Sequence, residues 1–198
     1  FGYAQVFFEV NQHEFAQIPG APIVYWLSKP MLDTFAKNKA LEEIAEPKVG
    51  LQTGDNARFV REWWEPSNYK TGFDCELREE SIERGTKWFP YNKGGEYRKW
   101  YGNQDYVINW ENNGQELYDF RPKSVIRNPQ FYFQSSVSWS NVSSGTPSFR
   151  YYPEGFVFSH VGDCLFPKNE LDRDKLIAIC NASVTGQLLA AMAPTLHF

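Results

Sequence analysis

The sequence predicts an α+β fold: an irregular, twisted, mostly antiparallel β-rich middle flanked by short N-terminal helices and a C-terminal helix pair. Three observations carry this. From about residue 48 to 165, short runs of Val, Ile, Phe, Tyr and Trp alternate with Gly, Pro, Asn and Ser, as strands broken by turns do. Apolar residues at helical spacing occur near the two ends. The 16 Phe, 11 Tyr and 7 Trp in 198 residues supply a sizeable core and exclude a disordered chain.

Taken in order, residues 3–10 read as a strand and residues 18–30 as a turn-rich connector with Pro19, Gly20, Pro22 and Pro30. A helix is expected from Pro30, with Ser28 near its cap and Met31, Leu32 and Phe35 on one face. Leu41 to Ala45 reads as a second helical piece, stopped before Pro47. These elements form a connector over 1–47. The β-rich core, 48–165, has expected strands at 59–60, 87–89, 106–108, 124–126, 131–133, 137–139, 148–152 and 156–158. In 166–198, Asp172 or Asp174 can cap a helix with Leu176, Ile177, Ile179 and Cys180 as its buried stripe. Ser183 opens a second helix through Leu188, Leu189 and Met192, ended by Pro194. The whole reads as one domain, and its abrupt ends suggest a segment of a longer protein.

The net charge of −4 excludes a wholly basic nucleic-acid binder and leaves room for a locally basic face. No apolar run is long enough for a membrane span, and the first ten residues lack the layout of a signal peptide. Cys75, Cys164 and Cys180 are far apart and only three His accompany them, so buried, reduced thiols of a cytosolic protein are expected, not a zinc site. No Gly-x-Gly, P-loop or nucleophile elbow occurs, which argues against a dinucleotide site and a glycine-rich cofactor loop. Asn128-Pro-Gln-Phe131 resembles the Asn-Pro-Pro-Tyr/Phe loop of amino-directed DNA methyltransferases but lacks the second Pro; a turn between two strands is the better reading.

The strongest local signal is the 18-residue stretch 84–101, RGTKWFPYNKGGEYRKWY. It carries five basic residues, one acid and six aromatics, a local +4 that leaves −8 on the remainder. Cations neutralise phosphates, and aromatics stack on bases or pack sugars. The alternative is a β-hairpin turning at Asn92-Lys93-Gly94-Gly95, with Trp88 and Trp100 in the core and the charges solvated. A second signal, Gly50-Leu-Gln-Thr-Gly-Asp-Asn-Ala-Arg-Phe59, offers turn oxygens and backbone N–H groups through Thr53, Asn56 and Arg58, or is an ordinary Asx turn. A third, Asn141 to Tyr152, offers Ser143, Ser144, Thr146 and Arg150, or is a hairpin loop. Within these stretches Lys87, Lys93, Arg98 and Lys99 are candidates for phosphates. Asn56, Asn92, Arg127 and Arg150 are candidates for base edges, and Tyr91, Tyr97 and Trp100 for stacking.

Three strings point further. Ile18-Pro-Gly-Ala-Pro-Ile-Val-Tyr-Trp26, Ala45-Glu-Pro-Lys-Val-Gly-Leu-Gln-Thr-Gly-Asp-Asn-Ala-Arg-Phe59 and Lys87-Trp-Phe-Pro-Tyr-Asn-Lys-Gly-Gly-Glu-Tyr-Arg-Lys-Trp-Tyr-Gly-Asn103 resemble the PglX family, the adenine-specific DNA methyltransferases of BREX phage-defence systems. Val107-Ile-Asn-Trp-Glu111, Ser124-Val-Ile-Arg-Asn128 and Ser143-Ser-Gly-Thr-Pro-Ser-Phe-Arg-Tyr151 continue the likeness in order, over about residues 18–198. The resemblance implies a target-recognition region lying after the catalytic domain. It would bind duplex DNA and position adenine for methylation, with no catalytic residue or cofactor of its own. S-adenosylmethionine would bind elsewhere in the parent protein. The implied partners are double-stranded DNA, the parent's own catalytic domain and possible further BREX proteins, in the bacterial cytoplasm. The rival from another class is a β-rich carbohydrate-binding or protein-interaction module, for which the local +4 has no evident use.

Overall fold

The computed structural model describes residues 9, 11–141 and 145–192. The strand expected over 3–10 falls almost wholly outside them, as does Pro194. Helix α1 (Gln12–Phe15) is one turn, capped by the Asn11 side chain, which accepts from the His13 N–H at 3.0 Å. Helix α2 (Lys29–Lys37) carries Pro30 in its first turn, where a missing N–H costs little. Its buried Leu32 joins Ile18, Val24 and Ala191 in a small core that fastens the N-terminal part to the far end of the chain.

After a single 3-10 turn at Leu41–Glu43 the chain enters strand β1 (Ala45–Lys48), so the helical piece expected up to Ala45 stops short. Tertiary pairing overrides the local pattern here. Ala45 is fully buried and lies opposite Pro167 in an antiparallel ladder. Pro47 is tolerated because β1 is an edge strand, where a missing N–H breaks no ladder. The β-rich part therefore begins three residues before the expected boundary.

The elements that follow are α3 (Asn56–Phe59), β2 (Val60–Glu62), α4 (Arg78–Glu83), β3 (Trp88–Asn92), β4 (Trp100–Tyr101), β5 (Tyr106–Asn109) and α5 (Glu111–Asp119). Then come β6 (Ser136–Trp139), β7 (Phe149–Tyr152), β8 (Val157–Phe158), β9 (Cys164–Pro167), α6 (Arg173–Cys180) and α7 (Ser183–Met192). They form two sheets, ordered β1-β9-β6-β7-β4 and β2-β5-β3-β8. Among the described residues β4–β7 and β3–β8 are parallel pairs and the other ladders are antiparallel, as the α+β reading expects.

Strand alternation sorts the side chains into layers. In β9, Cys164 and Phe166 join a core with Phe59, Phe89, Tyr91, Ile108, Trp110 and Tyr132 of the smaller sheet and its surroundings. Leu165 points the other way and, with Val137 and Phe149, packs on Leu176 and Cys180 of α6. The five-stranded sheet thus has α6 on one face and the four-stranded sheet on the other. Ile179 is exposed, unlike its place in the expected stripe, because 100° per residue turns it away from Leu176, Ile177 and Cys180. Burial raises the Cys164 and Cys180 thiols to about 12, as inert core thiols require.

Other expectations change, among them the strand at 131–133, where the chain forms turns. Residues 124–126 form no strand, only a bridge in which Val125 exchanges backbone hydrogen bonds with Gln52 at 2.8 Å. Asn128 takes a left-handed conformation ahead of a 3-10 turn, Pro129–Phe131, so the Asn-Pro step opens a helical turn and does not join two strands. Nor do residues 84–101 form a hairpin: β3 and β4 belong to different sheets, and Trp100 is 54% exposed.

The two sheets are stitched where β3 ends. The fully buried Asn92 donates through Nδ2 to Ser138 Oγ of β6 at 2.7 Å and to the Gly162 carbonyl at 3.1 Å. Its Oδ1 accepts the Gly94 N–H at 3.0 Å. Asn92→Ala strands these buried partners, and a lost buried hydrogen-bond partner costs about 1–3 kcal/mol. The expected result is a loss of about 3 kcal/mol in urea unfolding; a loss under about 0.5 kcal/mol, typical of a surface site, would show that the stitch is dispensable.

Candidate nucleic-acid interface

The topology gathers the three stretches singled out in the sequence. Strands β3 and β8 are parallel, so the chain leaves both at the same end, at residues 93 and 159. Strand β6 ends and β7 begins beside the start of β9, which places residues 140–141 next to loop 159–163. The Asn141 side chain donates to the His160 carbonyl at 2.7 Å, and the His160 N–H to the Leu51 carbonyl at 2.9 Å. Ser140 Oγ donates to the Gly95 carbonyl at 2.7 Å. Loops 49–54, 93–99 and 159–163 therefore form one cluster with residues 140–141 of the β6–β7 connection, and residues 123–128 lie alongside through the Gln52–Val125 bridge. Gly94 (φ +71°) lies so close to the Val161 carbonyl that a Cβ there would come within 2.5 Å of it.

The candidate residues divide sharply within this frame. Asn56, Arg58, Tyr97, Arg98, Trp100 and Arg127 are exposed, and Lys87, Lys93 and Lys99 are half-buried. Thr53, Tyr91, Asn92 and Arg150 are buried. Asn92 is consumed by the stitch between the sheets. Burial pushes the Tyr91 hydroxyl well above its ordinary range, against a hydrogen bond with Ser159. Thr53 Oγ1 donates to Asn56 Oδ1 at 2.6 Å and so orients that exposed side chain. Arg150 donates to Ser140 Oγ at 2.7 Å and to the Arg98 carbonyl at 3.4 Å, bracing two loops from beneath. Ser144, with Ser143, lies outside the described residues.

The cations are likewise unequal. Lys87 sits at the opposite end of β3 from the cluster, within 3.5 Å of Glu111 and 3.3 Å of Glu116. Arg58 shares Glu116 at 3.5 Å and stacks over Phe59 and Phe120. Burial would raise the Glu116 carboxyl, but hydrogen bonds from Asn109, Lys87 and Arg58 and the nearby Lys87 charge outweigh it, so it titrates below its ordinary 4.5. Arg84 is paired with Asp74 and Glu80. Lys99 donates to the Asn181 carbonyl at the end of α6 at 2.9 Å, a helix-capping contact. The +4 of the sequence is thus largely spent internally. Lys93, Arg98 and Arg127 belong to no ion pair among the described residues.

Arg98 lies against Gly102, where an added Cβ would meet its Cδ at 2.3 Å. Beside it Tyr97, Trp100 and Tyr101 are 63%, 54% and 60% exposed, forming an aromatic margin on edge strand β4. Trp100 holds φ +76°, a conformation costing about 1–2 kcal/mol in a non-glycine residue. Lys93 Nζ stands 4.4 Å above the Tyr106 ring. The chemistry on offer is a few unpaired cations, amide and hydroxyl groups, and flat exposed rings.

Sequence reasoning missed Tyr101, Ser140, His160 and Asp163. Tyr101 stood inside the basic-aromatic string; the short loop 159–163 has no local signature and matters only because the sheets bring it there. Asp163 is buried, and its Oδ1 has no hydrogen-bond partner among the described residues. Burial raises its carboxyl from 3.8 to about 6, against the Gly50 backbone and the Arg127 charge, which pull it down. The folded state then binds this proton more tightly than the unfolded chain, so the stability it leaves in place is greatest below the ordinary value of 3.8 and falls as pH rises through about 6. Asp163→Asn removes the slope. In urea unfolding the variant should match the parent below pH 4 and exceed it by about 2–3 kcal/mol at pH 7; equal stabilities at both pH values would refute a raised Asp163.

No family model matches the chain. It is 37% identical over 198 residues, 96% of its length, to the adenine-specific methyltransferase PglX of Lacticaseibacillus casei (strain Zhang). It is 39% identical over 191 residues, 94% of its length, to the adenine-specific methyltransferase BrxX of Escherichia coli O9:H4 (strain HS). The chain spans only 16% and 15% of these relatives. The resemblance read from the residues is therefore matched along nearly the whole chain, to one segment of much longer proteins.

Proposed function

We propose that this chain is the DNA target-recognition segment of an S-adenosylmethionine-dependent, adenine-specific DNA methyltransferase acting in the bacterial cytoplasm. The observation that carries the reading is the near-complete alignment with one segment of two proteins named as adenine-specific methyltransferases. The loop cluster supports it physically. Lys93 and Arg98 hold phosphates, Tyr97 and Trp100 pack sugars or stack on bases, and Asn56 and Arg127 read base edges. A strained, exposed Trp on an edge strand is a feature that function, not stability, accounts for. The segment holds the duplex and sets its register, while methyl transfer and the cofactor belong to the remainder of the parent chain. The absence of any Gly-x-Gly from the sequence agrees with that division.

A salt titration of duplex binding tests the proposal. Each phosphate contact contributes a slope of about −0.9 in log K against log salt. Lys93→Ala/Arg98→Ala should weaken binding and flatten the slope by about two units. Lys87→Ala, which removes a cation already held by two carboxylates, should leave the slope unchanged. A double variant with the parent's slope, or no duplex binding at low salt, would overturn this assignment of the loop cluster.

A further inference from the structure

A second site lies beside the loop cluster and meets it at Tyr106, over whose ring Lys93 Nζ stands. It is a cavity of about 320 Å³ walled by the rings of Trp63, Phe73, Tyr106 and Phe156, with Gln104 and Glu154 as its polar side chains. Trp63 and Phe73 are 46% and 47% exposed, although a core could readily take them. They are held in place: Trp63 packs edge-on against Trp64 at 5.6 Å and against Phe73 at 6.5 Å. Its backbone N–H donates to the Asp105 carbonyl at 3.0 Å.

Among the described residues that line this cavity, Glu154 is the one charged side chain. Glu154 is exposed and has no cation within ion-pair distance among the described residues, the Arg173 guanidinium acting on it from further off. Glu62 and Glu65 flank Trp63 and Trp64 in the chain, and Asp105 separates Gln104 from Tyr106. One face of Tyr106 already carries the Lys93 ammonium; among the described residues no cation lies over Trp63, Phe73 or Phe156. Gln104 is held within the wall, its Oε1 accepting from Tyr101 at 3.0 Å. Electron-rich ring faces and a carboxylate with no close cation select a cation.

We infer that this pocket binds an arginine or lysine side chain presented by a basic segment of another protein. The cation lies against Trp63 and Phe73 and pairs with Glu154. A nucleobase would also fit between rings, but a phosphate carried with it would approach Glu154, which disfavours it.

The test follows the Trp63 indole N–H by NMR as the chain is titrated with N-acetyl-arginine amide, with its uncharged citrulline counterpart, and with adenosine and guanosine. Arginine amide should give a saturable shift, and citrulline should bind at least about tenfold more weakly, as loss of a charged hydrogen-bond partner dictates. Glu154→Gln should weaken arginine to a similar degree while preserving the spectrum of the fold, since Glu154 is exposed. It should also leave duplex binding unchanged, which separates this site from the loop cluster. Equal response to arginine and citrulline, indifference to Glu154→Gln, no saturable shift, or tighter binding of a nucleoside would each overturn the inference.

Discussion

One buried carboxamide holds the arrangement together. Asn92 lies at the last position of β3 and reaches β6 in the other sheet, the Gly162 carbonyl and the Gly94 amide. No apolar residue could replace it, because the groups it meets are polar and shielded from water. Fixing them fixes where the chain leaves β3 and where it enters β9. Two of the four clustered segments are therefore positioned from inside the protein, and the bonds of Ser140, Asn141 and His160 carry that placement to the other two. Surface loops free of such anchoring would lose entropy on meeting a partner; these have lost much of it on folding.

The sequence revealed the fold class, the helix pair and the stretches that end up clustered, because each rests on local pattern and composition. The partition into two sheets was hidden. Residues 84–101 look like a hairpin locally, yet β3 pairs with β5 and β8, and β4 with β7. The partners β7 and β8 lie more than 45 residues away, beyond the range of any turn signal. Pro47 misled for a similar reason: proline marks the end of a helix and also suits an edge strand, and the choice is made by the distant β9. Burial was the other blind spot. Asn92 and Arg150 have the composition of ligand-reading residues, yet serve the interior because the loops fold over them.

Charge shows the same gap between inventory and arrangement. A run of five cations in 18 residues suggests a strong positive surface. Three are engaged by carboxylates or a helix-terminal carbonyl, so the field outside is weaker and more localised than the count implies. What remains lies beside exposed rings on a two-residue edge strand. That combination favours many shallow contacts along an extended surface over one deep pocket.

Arg150 has a wider consequence. Its guanidinium is fully buried, and its hydrogen-bond partners are hydroxyl and carbonyl oxygens with no formal charge. Mobile salt ions screen exposed side chains within about 10 Å at 0.1 M but reach an interior charge poorly. The loops therefore sit above a positive charge fixed by the backbone, one that endures at ionic strengths where the exposed lysines and arginines no longer act at a distance.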